Sequence, residues 1–174
     1  MQLPSILALA FVIFASFTQV LGFHEIRFRN NCATKRFTPR WKAGFSGTSS
    51  GPSLAPQTTW SSFVPEKWVA GRAWGDDDKC NNADGTGCTL FECTFSNFGY
   101  NSTTSPLCLA SIASSPQVGM SFSWINSGAG CQGGKRCSTA SCLDTGGWLP
   151  PDSCNGCLSQ CNTGGVDMLV TFCP

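Results

Sequence analysis

Residues 130–161 read GCQGGKRCSTASCLDTGGWLPPDSCNGCLSQC and hold six of the chain's twelve cysteines, at positions 131, 137, 142, 154, 157 and 161. Between them lie Gly, Ser, Asn, Asp and Pro, with almost no apolar residues to make a core. Such a segment cannot bury enough oily surface to offset its chain entropy, so covalent cross-links must hold it. Cys154 and Cys157 also form a CxxC, a spacing that zinc sites use. Structural zinc, however, draws on two well-spaced ligand pairs in a reducing compartment. The start of the chain decides between the two readings.

Residues 1–22, MQLPSILALAFVIFASFTQVLG, are uncharged and mostly apolar. The oily run is too short to span a bilayer comfortably, which argues against an uncleaved anchor, and Val20-Leu21-Gly22 offers a small-residue cleavage site. No Lys or Arg precedes the run, so the terminal amine alone supplies the positive end of this secretory signal. The expected product is one secreted, extracellular domain over 23–174, which carries every cysteine. An even cysteine count in an oxidising compartment favours six disulfides over metal, and the single His weakens a metal site further. No metal or cofactor is expected. A net charge of +1 gives no global field for nucleic acid or a membrane surface. The 19 Gly and 10 Pro favour short strands and long turns over helices.

His24 to Arg29 alternates polar and apolar, the mark of a half-buried strand, and Lys35 to Lys42 alternates again. Six of the eleven basic residues fall between Arg27 and Lys42. They suit either a cationic patch for an acidic polysaccharide or membrane, or the solvated face of two neighbouring strands, and the second reading is preferred. Gly47-Thr48-Ser49-Ser50-Gly51 matches the GxSxG pattern, but no strand–turn–helix context surrounds it and His24 is the only possible base. The match is coincidental. Thr58 to Val64, Trp68 to Gly75, Pro116 to Trp124 and Gly165 to Cys173 are further strand candidates. A short helix is expected over Ser153 to Gln160, where Cys157 and Cys161 at i, i+4 would share a face.

Asp76, Asp77, Asp78, Asp84 and Glu92 make the middle of the chain acidic. Clustered carboxylates serve glycoside hydrolysis or calcium binding. The Asp84–Gly87 turn lacks the ligand spacing of a calcium loop, and neighbouring Asp residues on a strand point to opposite faces. A solvated turn between Cys80 and Cys88 is the simpler reading. Asn101-Ser102-Thr103 is the one glycosylation sequon, so Asn101 is a candidate glycan site.

Taken together, these landmarks resemble the thaumatin-like proteins over most of the chain beyond residue 22. Phe23 to Ile26 followed by Asn30-Asn31-Cys32 is similar to the family's opening F-x-I-x-N-x-C, and Gly71-Arg72-Ala73-Trp74-Gly75 to its G-R-x-W motif. Asp84 to Cys88 resembles a shortened D-x-S-G-x-x-C turn, Val118 to Phe122 the F-N-V-P-M strand, and Gly130 to Cys137 the G-C-x-G-x-x-C motif. Val170-Thr171-Phe172-Cys173-Pro174 matches the closing signature almost intact. The resemblance implies an all-β fold, a disulfide-rich flattened β-sandwich or barrel beside a reduced loop-rich region, as in the small members. It pairs Cys32 with Cys173, Cys80 with Cys88 and Cys142 with Cys154. Cys93 lacks the family's usual near neighbour and is paired with Cys108. For Cys131, Cys137, Cys157 and Cys161 three pairings stay open, with 131–161 and 137–157 preferred.

Members of the family often act in defence or pathogenesis. Many bind β-1,3-glucan, some hydrolyse it weakly, and small forms include xylanase inhibitors. Arg72 matches the Arg of the family's glucan cleft, whereas the cleft's Glu and paired Asp have no counterpart here; residues 104–112 contain no acid. Hydrolysis would then need two of Asp76, Asp77, Asp78, Asp84 and Glu92 to converge, with Asp84 and Glu92 as weak catalytic candidates. The reading favoured is a non-enzymatic binder of wall polysaccharide, with Arg72, Trp74, Asp76, Asp77, Asp78 and Asp84 lining the groove and Trp68 beside them. The alternatives are an inhibitor acting on a secreted enzyme through disulfide-stapled loops, or a weak β-1,3-glucanase. A monomer is expected, with no nucleic-acid partner and no membrane span once the signal is removed.

Overall fold

Phe23–Asn30 forms β1, in which His24, Ile26, Phe28 and Asn30 are buried while Phe23 and Arg29 are exposed. The alternation visible in the sequence is thus the alternation of a pleated strand with one wet face. The computed structural model describes residues 23–78, 83–95, 118–126, 129–138, 158–162 and 165–174, and the backbone of 108–113. The leader over 1–22, Cys80, Asn101, Cys142, Cys154 and Cys157 lie outside the described residues.

Around β1 a five-stranded sheet assembles from Thr59–Pro65 (β4), Asp167–Phe172 (β11), Met120–Ile125 (β8) and Lys135–Cys137 (β9), in the order β4-β1-β11-β8-β9. The first and last strands lie parallel, Ile26 opposite Met168 and Asn30 opposite Phe172, and every other pairing in this sheet is antiparallel. A disulfide joins Cys32 to Cys173 just beyond that pairing and ties the two ends of the domain together.

The second sheet holds six strands in the order β10-β7-β6-β5-β2-β3. These are Thr38–Lys42 (β2), Ser49–Ser50 (β3), Gly71–Asp76 (β5), Leu90–Phe95 (β6), Cys108–Ala113 (β7) and Ser159–Cys161 (β10), all antiparallel to their neighbours. Together the strands form an all-β sandwich, and no helix occurs among the described residues. Its core is aromatic. Phe28 meets Trp41 and Phe172 at ring distances of 5.8 and 6.3 Å, and Phe91 meets Phe122 at 5.2 Å. Gly75 is required because a Cβ there would stand 2.9 Å from the Phe172 ring.

The structure changes the sequence reading at three points. The helix over Ser153 to Gln160 is replaced at its described end by β10, because Ser159, Gln160 and Cys161 pair with Ala110, Leu109 and Cys108, and Cys161 is bridged to Cys131. Tertiary pairing outweighs the i, i+4 spacing of two cysteines. The strand expected from Trp68 begins only at Gly71, since Ala70 takes a left-handed φ of 48°. Strands β6 and β7, unassigned in the sequence, complete the second sheet. Cys93 is buried opposite Ala110 on β6, and the backbone of Cys108 stands opposite Phe95 at the start of β7. Cys88 and Cys137 are also disulfide-bonded, and the partners expected for them, Cys80 and Cys157, are outside the described residues.

Candidate functional site

Strand β5 sends Ala73 and Gly75 into the core and Arg72, Trp74 and Asp76 to the outer face of the second sheet. Register fills in that face. Arg72 stands opposite Glu92 of β6 on one side and Lys42 of β2 on the other, and Trp74 stands opposite Arg40. Two cations side by side repel. Carboxylates at both ends of the row offset this: Arg72 Nε lies 3.4 Å from Glu92 Oε1, and Lys42 Nζ donates to Asp84 Oδ1 at 2.8 Å. The Lys42 hydrogen bond, its charge and that of Arg72 hold the Asp84 carboxyl below its ordinary range.

Asp76 is almost fully buried and accepts a 2.7 Å hydrogen bond from Arg40 Nε. Its other oxygen accepts the backbone N–H of Asp78, which turns the chain at a left-handed φ of 68°. Asp77 Oδ2 is 3.8 Å from Lys35 Nζ. The acidic stretch therefore does not converge on one point. Asp76, Asp77, Asp84 and Glu92 each meet a different cation, and Asp78 faces solvent. The sequence marked Arg72 and the acids but missed Arg40, Lys42 and Lys35 as their partners. Only the strand pairing β2–β5 brings those residues across.

Trp74 has no exposed surface and Trp68 is 2 % exposed, so neither ring offers a face for a sugar to stack on. The burial of Trp74 has a local cause. Gly85 adopts φ +73°, Cys88 N–H donates to Gly85 O, and this turn lays Cys88 and Leu90 over the indole. Thr48 clamps the same turn by donating to Ala83 O. A Cβ on Gly85 would come 2.9 Å from the Trp74 ring, so glycine serves both the φ and the fit. The Trp74 indole N–H meets no acceptor among the described residues. The expected aromatic groove is therefore replaced by a polar, ion-paired belt running over a covered tryptophan.

The large apolar side chains that the described residues do expose lie elsewhere. Phe45 is fully exposed on the turn after β2, where Ser46 Oγ accepts the Ala43 N–H and Gly44 N–H donates to Val69 O. Val69 beside it is 45 % exposed. Among the described residues no group of three or more His, Cys, Asp or Glu side chains is placed to hold a metal ion.

Neither protein-family models nor curated protein sequences match the chain. Solved structures do. The thaumatin-like xylanase inhibitor TLXI superposes with a TM-score of 0.59 at 16 % identity, covering 86 % of this chain and 99 % of that one. The protein elicitor MoHrip2 from Magnaporthe oryzae superposes with a TM-score of 0.57 at 17 % identity, covering 87 % of this chain and 99 % of its own. Identities this low speak for architecture, and the architecture of this disulfide-tied sandwich is the thaumatin-like fold.

Proposed function

We propose that the protein is secreted under its apolar leader and acts in a defence or host–microbe setting as a binding protein without hydrolytic chemistry. Its ligand is a wall polysaccharide of the β-1,3-glucan type, held on the outer face of the second sheet. The observation that carries this reading is the belt itself. Glycosidic hydrolysis needs one protonated and one ionised carboxyl flanking the bond. Glu92, Asp84 and Asp76 are instead spread among separate ion pairs, with Arg72, Lys42 and Arg40, rather than set as a pair flanking one bond. The same belt alternates donors and acceptors on an exposed face, as recognition of sugar hydroxyls requires. The test is retention of the oxidised protein on insoluble β-1,3-glucan, chitin and xylan, with released sugar assayed in the same tube. Retention on glucan without release supports the reading. Sugar release, or no retention on any of the three, overturns it.

Phe45 favours a second reading, inhibition of a secreted enzyme. A fully exposed aromatic on a turn fixed by its own hydrogen bonds is pre-organised to enter a partner's pocket, and the likeness to a xylanase inhibitor supports an enzyme as that partner. Loss of inhibition of a xylanase panel in Phe45→Ser, with glucan retention unchanged, would select this reading over the first.

A further inference from the structure

Six basic side chains crowd the sequence between Arg27 and Lys42, and the fold occupies five of them. Arg27 binds Glu25, Lys35 approaches Asp77, Arg36 donates to Ser53, Arg40 to Asp76 and Lys42 to Asp84. Arg29 is the exception: it is exposed and makes no ion pair or side-chain hydrogen bond among the described residues. Since Ile26 and Phe28 face the core, Arg29 stands on the outer face of the five-stranded sheet.

Register extends a row from Arg29 across that face. Thr59 of β4 is opposite Arg29, Arg29 is opposite Thr171 of β11, Thr171 opposite Ser121 of β8, and Ser121 opposite Arg136 of β9. The sequence across the strands is hydroxyl, guanidinium, hydroxyl, hydroxyl, guanidinium. Four inter-strand steps span about 19 Å. Arg136 is exposed and gives one N–H to the terminal Pro174 O, which leaves most of its donors available. The acids of this face are at the other end of the strands and are engaged. Glu25 accepts from Arg27 and Ser61, and Asp167 accepts from the Glu25 N–H and from Asn126. Phe23 and Phe63, the exposed apolar pair of this sheet, also lie at that far end.

We infer that the Arg29 end of this face binds an acidic polysaccharide, a chain of uronic acids laid across the strands. Its carboxylates pair with Arg29 and Arg136, and its ring hydroxyls meet Thr59 and Ser121, with the buried Thr171 between the two arginines in the row. Guanidinium forks match carboxylates in a bidentate geometry that neutral sugars cannot exploit. An extended sugar chain crossing the sheet meets a new strand every ~4.8 Å, on the order of one ring per strand. Among the described residues no large exposed apolar side chain stands at this end to enter a bilayer, and a net charge of +1 supplies no overall field for nucleic acid. The site lies on the opposite sheet from Arg72 and takes a different ligand, so it stands independently of the glucan reading.

Affinity electrophoresis of the oxidised protein through gels containing polygalacturonate, run beside gels containing neutral laminarin, tests this. Polygalacturonate should retard the wild type, and added salt should weaken the effect. Arg29→Gln should raise the dissociation constant at least about tenfold, as expected for one charge-assisted hydrogen bond, and Arg29→Gln with Arg136→Gln should abolish retardation. The unfolding midpoint of Arg29→Gln should stay unchanged, because Arg29 holds no side chain among the described residues. Wild-type migration unaffected by polygalacturonate overturns the inference, as does an Arg29→Gln variant retarded like wild type. An equal loss in Arg72→Ala would move the site to the other sheet and overturn it too. Equal, Arg29-dependent capture by phosphatidylserine vesicles would make the row a membrane contact instead.

Discussion

Arg72 and Glu92 stand directly opposite one another across β5 and β6, Nε 3.4 Å from Oε1, on the outer face of the second sheet. Both side chains are partly exposed, 44 % and 29 %, so the pair is a surface contact worth little to stability. What it does is hold two hydrogen-bonding groups side by side at the centre of the belt. Arg72→Ala should therefore weaken glucan retention about tenfold, the scale of a lost charge-assisted hydrogen bond, while the unfolding midpoint moves by no more than a few degrees. A binding isotherm on insoluble glucan and a thermal melt together decide it.

Arg40 and Asp76 make the contrasting pair. The Asp76 side chain is 5 % exposed, and its carboxylate is held by Arg40 and by the Asp78 N–H. Removing one partner of a buried ion pair leaves an uncompensated charge, at a cost of about 3–5 kcal/mol. Arg40→Met should destabilise the protein on that scale in a denaturant melt, whereas Arg72→Met on the same sheet should change it by less than ~1 kcal/mol.

Trp74→Ala separates a structural tryptophan from a sugar-stacking one. The ring is sealed beneath Cys88 and Leu90, so its removal should cost about 3–5 kcal/mol in stability. Trp74→Phe, which keeps an aromatic in the cavity, should retain glucan affinity. A loss of glucan affinity in a folded Trp74→Phe protein would return the ring to the binding surface.

Glu25 sets a pH dependence. Two hydrogen bonds from Arg27, then one from Ser61, hold its carboxyl below its ordinary value of 4.5. A carboxyl whose folded value is depressed contributes stability that is complete above the unfolded value and is lost as pH falls through the folded one. Denaturation midpoints of the wild type should thus fall as pH drops below about 4.5, and Glu25→Gln should flatten that decline while leaving the curve above pH ~6 parallel to wild type.

The Cys32–Cys173 bond closes a loop of sequence separation 141. Chain entropy puts its contribution at up to about 5 kcal/mol, and native bonds of this kind commonly deliver about 2–5 kcal/mol. Cys32→Ser with Cys173→Ala should lower stability on that scale and free the ends of β1 and β11, a change that amide exchange at Arg29 to Cys32 would read directly.

The architecture was legible where its signals are local. Alternation over His24–Arg29 marked the first strand, because burying one face of a pleat imposes a period of two on the residues themselves, and Gly165–Cys173 was legible as the last. Strand β6 carried the same signal in Phe91, Cys93 and Phe95, all buried, and went unassigned beside the cysteine-rich turn. Gly75 of the G-R-x-W segment yields space to the Phe172 ring, and Gly85 of the Asp84–Cys88 turn supplies a left-handed φ.

By itself the sequence determined an all-β, disulfide-dependent domain and placed an arginine and a set of acids in its middle. Whether those acids could work together was decided only by tertiary structure, because a carboxylate's chemistry depends on the charge beside it, and that charge comes from a strand far away in the chain. Arg40 reaches Asp76 from 36 residues away, and Lys42 reaches Asp84 from 42. The folded chain occupied five cations of a basic stretch and left Arg29 facing solvent. Burial decided the tryptophans likewise, since the turn at Gly85 folds back over Trp74 and turns an apparent ligand platform into core.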